Sequence, residues 1–240
     1  MKAAVDIIEE FIATFSFEGK IKGVTDNGGG SYTIEVCKTF HARKDMVLTI
    51  GGNNFTVTSF VNNESITGTT AVAPTTNETF IVPPPRYFHN TVKMQNKELT
   101  EIRISGDKFP LIWVKENIRN RHNNRRNAAQ GDKRTFETRI FFLDDTDWKN
   151  WNTDDHYSEA IQPMLNLVQE FIDNCNDTRN KYFRRPDGFT TIPWPKFGDF
   201  FGGSDSQDMR DKNVFNDTTS GVELQITLPF KNLVICNSKC

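Results

Sequence analysis

The chain has 240 residues, with 29 Lys and Arg against 31 Asp and Glu and a formal net charge of −2. That balance excludes a uniformly basic nucleic-acid binder. Phe supplies 20 aromatics beside four Trp and four Tyr, which excludes wholesale disorder, a state of few aromatics and large net charge. A hydrophobic fraction of 36% is enough for a core, and the length allows one or two domains.

In chain order, residues 2–15 read as an amphipathic helix. Ala4, Ile7, Ile8, Phe11, Ile12 and Phe15 recur at three- and four-residue steps, and Asp6, Glu9 and Glu10 lie between them. Those acidic residues also interrupt any apolar signal-peptide core, and no run approaches the roughly 18 apolar residues of a membrane span. Synthesis in the cytoplasm and no membrane association are therefore expected. Cys37, Cys175, Cys236 and Cys240 are too few and scattered for a disulfide scaffold and read as free thiols.

From Gly19 to Val82 the period shortens. Alternating segments at Lys20–Thr25, Ser31–Val36, Met46–Ile50, Phe55–Phe60, Ser65–Thr69 and Thr79–Val82 are separated by Gly/Asn clusters suited to tight hairpins. This predicts a small antiparallel barrel or sandwich over 17–85. Pro83-Pro84-Pro85 cannot donate ladder hydrogen bonds and reads as its exit linker.

Beyond the linker, Met94–Ile104 reads as a short helix and Phe109–Val114 as a strand buried on both faces. Phe136–Leu143 reads as a second strand, with a polar stretch from Asn117 to Thr135 between them. Tyr157–Ile172 carries the clearest helical stripe, with Thr153 or Asp154 as its N-cap and Pro163 kinking it or opening a second segment. Residues 183–218 read as irregular and Val222–Leu228 as the closing strand. The predicted fold class is α+β: an antiparallel sheet with helices on one face, formed by 1–16 and 86–240, with the β module of 17–85 inserted into it.

Three groups of residues invite a chemical role. Asp144, Asp145 and Asp147, with Asp154, Asp155 and His156, have the composition of a metal or acid–base site. They follow a strand and open a helix, however, where carboxylates serve as caps. His41, His89, His122 and His156 stand in no nucleophile or metal motif, so neither catalysis, nor a metal, nor a cofactor is expected. The third group is Arg119, Arg121, Arg125, Arg126, Lys133 and Arg134, opposed only by Asp132, in a net acidic chain. A basic loop of this kind is a solvated surface, a dock for an acidic protein neighbour or, non-specifically, a contact for a nucleic-acid backbone.

The order of elements resembles that of the tail-terminator and tail-completion proteins of tailed bacteriophages. The resemblance is carried by the leading helix Asp6–Phe15, the strand pair Phe109–Val114 and Phe136–Leu143 with its long loop, the helix Tyr157–Ile172 and the strand Val222–Leu228. The Asn/Thr- and Phe-rich composition is also similar in style to ring proteins of crAss-like phages. The resemblance implies a structural virion protein of the neck or tail, a homo-oligomeric ring of six- or twelvefold symmetry docking on portal or tail proteins. The Arg119–Arg134 loop would then face either DNA in the channel or an adjacent ring. Two alternatives from the residues themselves are a carbohydrate- or cell-surface-binding module and a metal-dependent hydrolase using Asp144, Asp145 and Asp147. Trp113, Trp148, Trp151 and Trp194 all lie outside the β module, which counts against a sugar platform there.

Overall fold

The computed structural model describes residues 3–90, 109–115, 118–123, 133–147, 150–197 and 218–231. It is mostly β, with two sheets and helices packed on one of them. The predicted helix at 94–104 lies outside the described residues.

Helix α1 (Ala4–Ile12) buries Ile7, Ile8, Phe11 and Ile12, and the Asp6 carboxylate accepts the Ala3 N–H at its start. The first sheet contains β1 (Glu18–Lys20), β2 (Gly23–Gly28), β3 (Ser31–Glu35), β4 (Val47–Ile50), β5 (Asn53–Val61), β6 (Ser65–Thr69) and β7 (Thr79–Ile81). Their order is β1-β7-β4-β5-β6-β3-β2, antiparallel throughout. The two edge strands are consecutive in the chain, so the sheet curls until they meet at Ile21–Lys22. There the Ile21 N–H donates to Glu78 and the Lys22 N–H to Glu35. The single strand expected at Lys20–Thr25 is therefore two, because the backbone changes partners at the buried Ile21. Gly51 and Gly52, both at positive φ, make the two-residue turn between β4 and β5, where a twisted hairpin needs that conformation.

The second sheet contains β8 (Arg86–Asn90), β9 (Leu111–Lys115), β10 (Arg119–Asn123), β11 (Lys133–Asp145), β12 (Phe189–Phe197) and β13 (Thr219–Pro229). Its order is β12-β13-β11-β9-β8, with β10 pairing the first part of β11. All pairs are antiparallel except β8 with β9. Three of these strands correct the sequence expectation. β8 directly follows the triproline. β10 lies in the stretch read as a polar loop, where pairing is dictated by the β11 ladder rather than by any apolar alternation. β12 occupies a segment read as irregular; Pro193 and Pro195 are tolerated there because β12 is an edge strand.

Helical structure resumes with α2 (Thr153–Asp155), passes through a π-helical turn, His156–Ile161, and continues as α3 (Gln162–Asn176). The cap is Asn152, not Thr153 or Asp154. Its side chain accepts the N–H groups of Asp154 and Asp155, and Asp155 accepts the Asn152 N–H in return. Pro163 has no N–H to give the preceding turn. The chain widens there, and the Gln162 N–H reaches back five residues to Tyr157.

One continuous apolar cluster joins α1, the curled sheet, α3 and the inner face of the second sheet, including Ile112, Val114, Ile140, Phe142 and Leu224. Phe11 packs edge-on against Phe171 at 5.3 Å and Phe183 at 5.2 Å, and the Tyr87 hydroxyl donates to the Val5 carbonyl. The outer face of the second sheet holds a separate cluster of Phe109, Leu111, Trp113, Phe141, Leu143 and Phe197, in which Trp113 stacks on Phe141 at 4.9 Å. The strand read as buried on both faces, Phe109–Val114, is buried on both faces.

Candidate functional site

Two regions gather the residues singled out in the sequence: the joint between the curled sheet and the second sheet, and the outer face of the second sheet.

The joint is polar at its rim. Lys38 lies 2.6 Å from Glu170 and 3.7 Å from Asp173 on α3. The Asn166 amide donates to the Phe40 carbonyl and to Asn62, each at 2.7 Å. Buried His41 donates its Nε2–H to the Pro83 carbonyl at 2.8 Å and packs edge-on against Phe17. Burial pushes its pKa down to about 4, so the ring is neutral and fastens the triproline exit. Nearby, Arg43 Nε lies 2.9 Å from Asp144 Oδ2. Neither atom is hydrogen-bonded, because the N–H is not aimed at the oxygen; the contact is an ion pair. Complete burial pushes Asp144 up to about 7, against the pull of Arg43 and of the Asp145 N–H.

Beside this pair opens a cleft of about 690 Å3 whose lining includes Lys44, Asp145, Asp147, Trp151, Asp155 and Glu159. Three of the carboxylates read together in the sequence, Asp145, Asp147 and Asp155, thus share one cleft, but they have structural partners. Asp147 accepts from the Asn150 amide and N–H, and Asp155 belongs to the helix cap. Among the described residues no three His, Cys, Asp or Glu side chains converge on a point where a metal would sit. His156 Nδ1 lies 3.0 Å from the Ser220 hydroxyl, and burial pushes its pKa down. Ser220 is itself buried; its hydroxyl donates to the Pro195 carbonyl and lies 3.1 Å from Thr146 Oγ1, which ties strands together and keeps this hydroxyl from solvent.

The basic residues are divided by the ladder. The register sets Arg119 opposite Glu137, Arg121 opposite Thr135, Lys133 opposite Asn123 and Arg134 opposite His122. Arg134 is therefore in the opposite alternation from Lys133, Arg119 and Arg121, and these four stand on paired strands rather than in one loop. Arg125 and Arg126 lie outside the described residues. On the outer sheet face beside this ribbon is a groove of about 700 Å3, lined among others by Lys115, Glu137, Arg139, Thr190, Gln225 and Thr227. Beneath it is Glu223, buried, 3.5 Å from Arg139 and accepting from Trp194 Nε1 and the Gln225 amide. Sequence alternation marks Glu223 as outward-facing polar; nothing in it shows that Trp194 of β12 would reach over to it.

A third cleft, about 550 Å3, lies at the hairpin tips of the curled sheet. It is lined by Gly29, Gly30, Gly52, Asn53, Asn54, Thr69, Thr70 and Ala71, without an aromatic to stack on a sugar. Of the tryptophans, Trp113 and Trp194 belong to the outer sheet face, Trp151 lies against His156, and Trp148 is outside the described residues. Cys175 is a buried free thiol and Cys37 an exposed one; Cys236 and Cys240 are outside the described residues. No described helix is long and apolar enough to cross a membrane. No protein-family model matches the chain, and no curated protein matches it.

Proposed function

We propose that this protein is a structural component of a tailed-phage neck or tail, forming a homo-oligomeric ring that acts by docking on neighbouring virion proteins rather than by catalysis. The observation that carries this reading is the β10–β11 ribbon. β11 is 13 residues long, yet β9 pairs only with Ile140–Leu143; on that edge the basic first part, Lys133–Glu137, pairs with β10 instead, while β13 continues on the other edge as far as Thr135. A ribbon of this kind on a body whose polar side chains are used to fasten the fold suits recognition. Repeated around an axis, even a weak ribbon contact gains by multivalency. The curled sheet, fixed to α3 through Lys38, Asn166 and Phe40, would present a second surface on each subunit.

The test is the assembly state. Electron microscopy and mass measurement of the purified full chain should show closed rings of one stoichiometry. A chain that stays monomeric at every accessible concentration and at low salt would remove the ring from the reading.

A further inference from the structure

Asn27 is the only asparagine of the chain that is followed by glycine. The carbon of an asparagine side-chain amide is open to attack by the backbone nitrogen of the next residue, which closes a cyclic imide. A side chain on that next residue hinders the approach, and glycine carries none. Asn27 and Gly28 are both exposed, and a Cβ added at Gly28 would meet nothing within 4 Å.

Gly29 and Gly30, at φ 64° and 79°, make the two-residue turn from β2 to β3. Ahead of the turn the register skips from Asp26–Tyr32 to Gly28–Ser31, which leaves Asn27 as a bulge residue opposite no residue of β3. Turning its Cγ toward the Gly28 nitrogen therefore separates no register pair. The Gly28 N–H donates to the Asp26 carboxylate at 2.8 Å. It is this N–H that must give up its proton for the nitrogen to attack. The Asn27 amide donates to Thr33 Oγ1 at 3.0 Å, and Thr33 Oγ1 lies 2.9 Å from Thr67 Oγ1, so the neighbouring strand holds the nitrogen that would leave.

We propose that Asn27 is a self-modifying residue, deamidated by the Gly28 nitrogen with the Asp26 carboxylate as the base. Asp26 takes the Gly28 proton as the nitrogen bonds to Asn27 Cγ. The Cγ–Nδ2 bond breaks, and Nδ2 keeps the bonding pair, collects that proton and leaves as ammonia. Water then opens the imide. Attack at Cγ gives aspartate, and attack at the backbone carbonyl gives isoaspartate, with the chain running through Cγ. Loss of ammonia makes the change one-way, so the converted fraction records the age of the protein. Conversion sets a second carboxylate beside Asp26, next to the cleft lined by Gly29 and Gly30, and removes the amide donor from Thr33. The chemistry does not depend on assembly into a ring.

The test is peptide mapping by mass spectrometry of the full chain after timed incubation at neutral pH. Acid, part of it isoaspartate, should accumulate at position 27. Asn63, also exposed at a turn but followed by Glu64, should keep its amide. Asp26→Asn keeps an acceptor for the Gly28 N–H but is no base. It should slow the native reaction at least about tenfold and make the rate climb more steeply with pH, a change that loosening of the hairpin would not produce. In urea, where the Asp26 contact is lost, the two chains should react alike; circular dichroism checks that the variant is folded without it. An Asn27 that stays intact in the native wild type, an unchanged native rate in Asp26→Asn, or a rate difference that persists in urea would each overturn the proposal.

Discussion

Asp144→Asn isolates the ionisation of the buried carboxyl at the joint. The native carboxyl is raised from the usual 3.8 to about 7, chiefly by burial. Between those values the native chain holds a proton that the unfolded chain has released, so stability from this group falls as pH rises. It is fully present below about pH 4, and about 4 kcal/mol lower above about pH 7, at about 1.4 kcal/mol for each pH unit. The amide keeps an oxygen for the Asp145 N–H but gives Arg43 no charge. The absolute stability of the variant therefore mixes two effects, and the informative quantity is the pH slope. Urea unfolding of wild type and variant from pH 4 to 8 should show the variant gaining on wild type steadily as pH rises, then running parallel above pH 7. Parallel curves throughout, or a wild type that gains on the variant with rising pH, would refute the reasoning. The Arg43 ion pair would then outweigh burial.

Three further predictions address other parts of the fold. The pKa of His41 is lowered from 6.5 to about 4, so its contribution runs the other way: full above about pH 6.5 and lost, by about 3 kcal/mol, as pH falls toward 4. His41→Phe keeps the contact with Phe17 and should flatten that part of the same unfolding series; an unchanged acid slope would assign it elsewhere. A Cβ at Gly221 would lie 2.0 Å from the Phe142 carbonyl oxygen and 2.9 Å from Leu143 Cα, both backbone. Gly221→Ala should cost about 3 kcal/mol or more by denaturant titration, whereas Gly188→Ala, with open space around it, should stay within about 0.5. Asn166→Ala removes the amide shared by Phe40 and Asn62 and should lower stability by about 1–3 kcal/mol. A loss below about 0.5 would show that water replaces it.

The alternating segments and Gly/Asn turns identified most strands of the curled sheet, because period-two burial and positive φ are local properties. Gly51-Gly52 fixes a hairpin whatever surrounds it. The stripe on α1 and the run Phe109–Val114 were legible for the same reason. β10 and β12 were not, since a polar strand and a proline-bearing edge strand are specified by the neighbour that pairs with them. Among the candidate site residues, Asp147 and Asp155 serve a turn and a helix cap, and the cap itself is Asn152, a position the helical stripe alone does not mark. The basic cluster was visible as charge but not as a ladder that separates Lys133 from Arg134.

The sequence by itself determined the period of each segment, its turns and the charges it carries, all fixed by neighbours a few residues away. Only the tertiary structure decided that Ile21 closes the curl, that Arg43 meets Asp144, and that Glu223 is buried. Those facts depend on contacts between residues far apart in the chain, whose energies arise only once the sheets have packed.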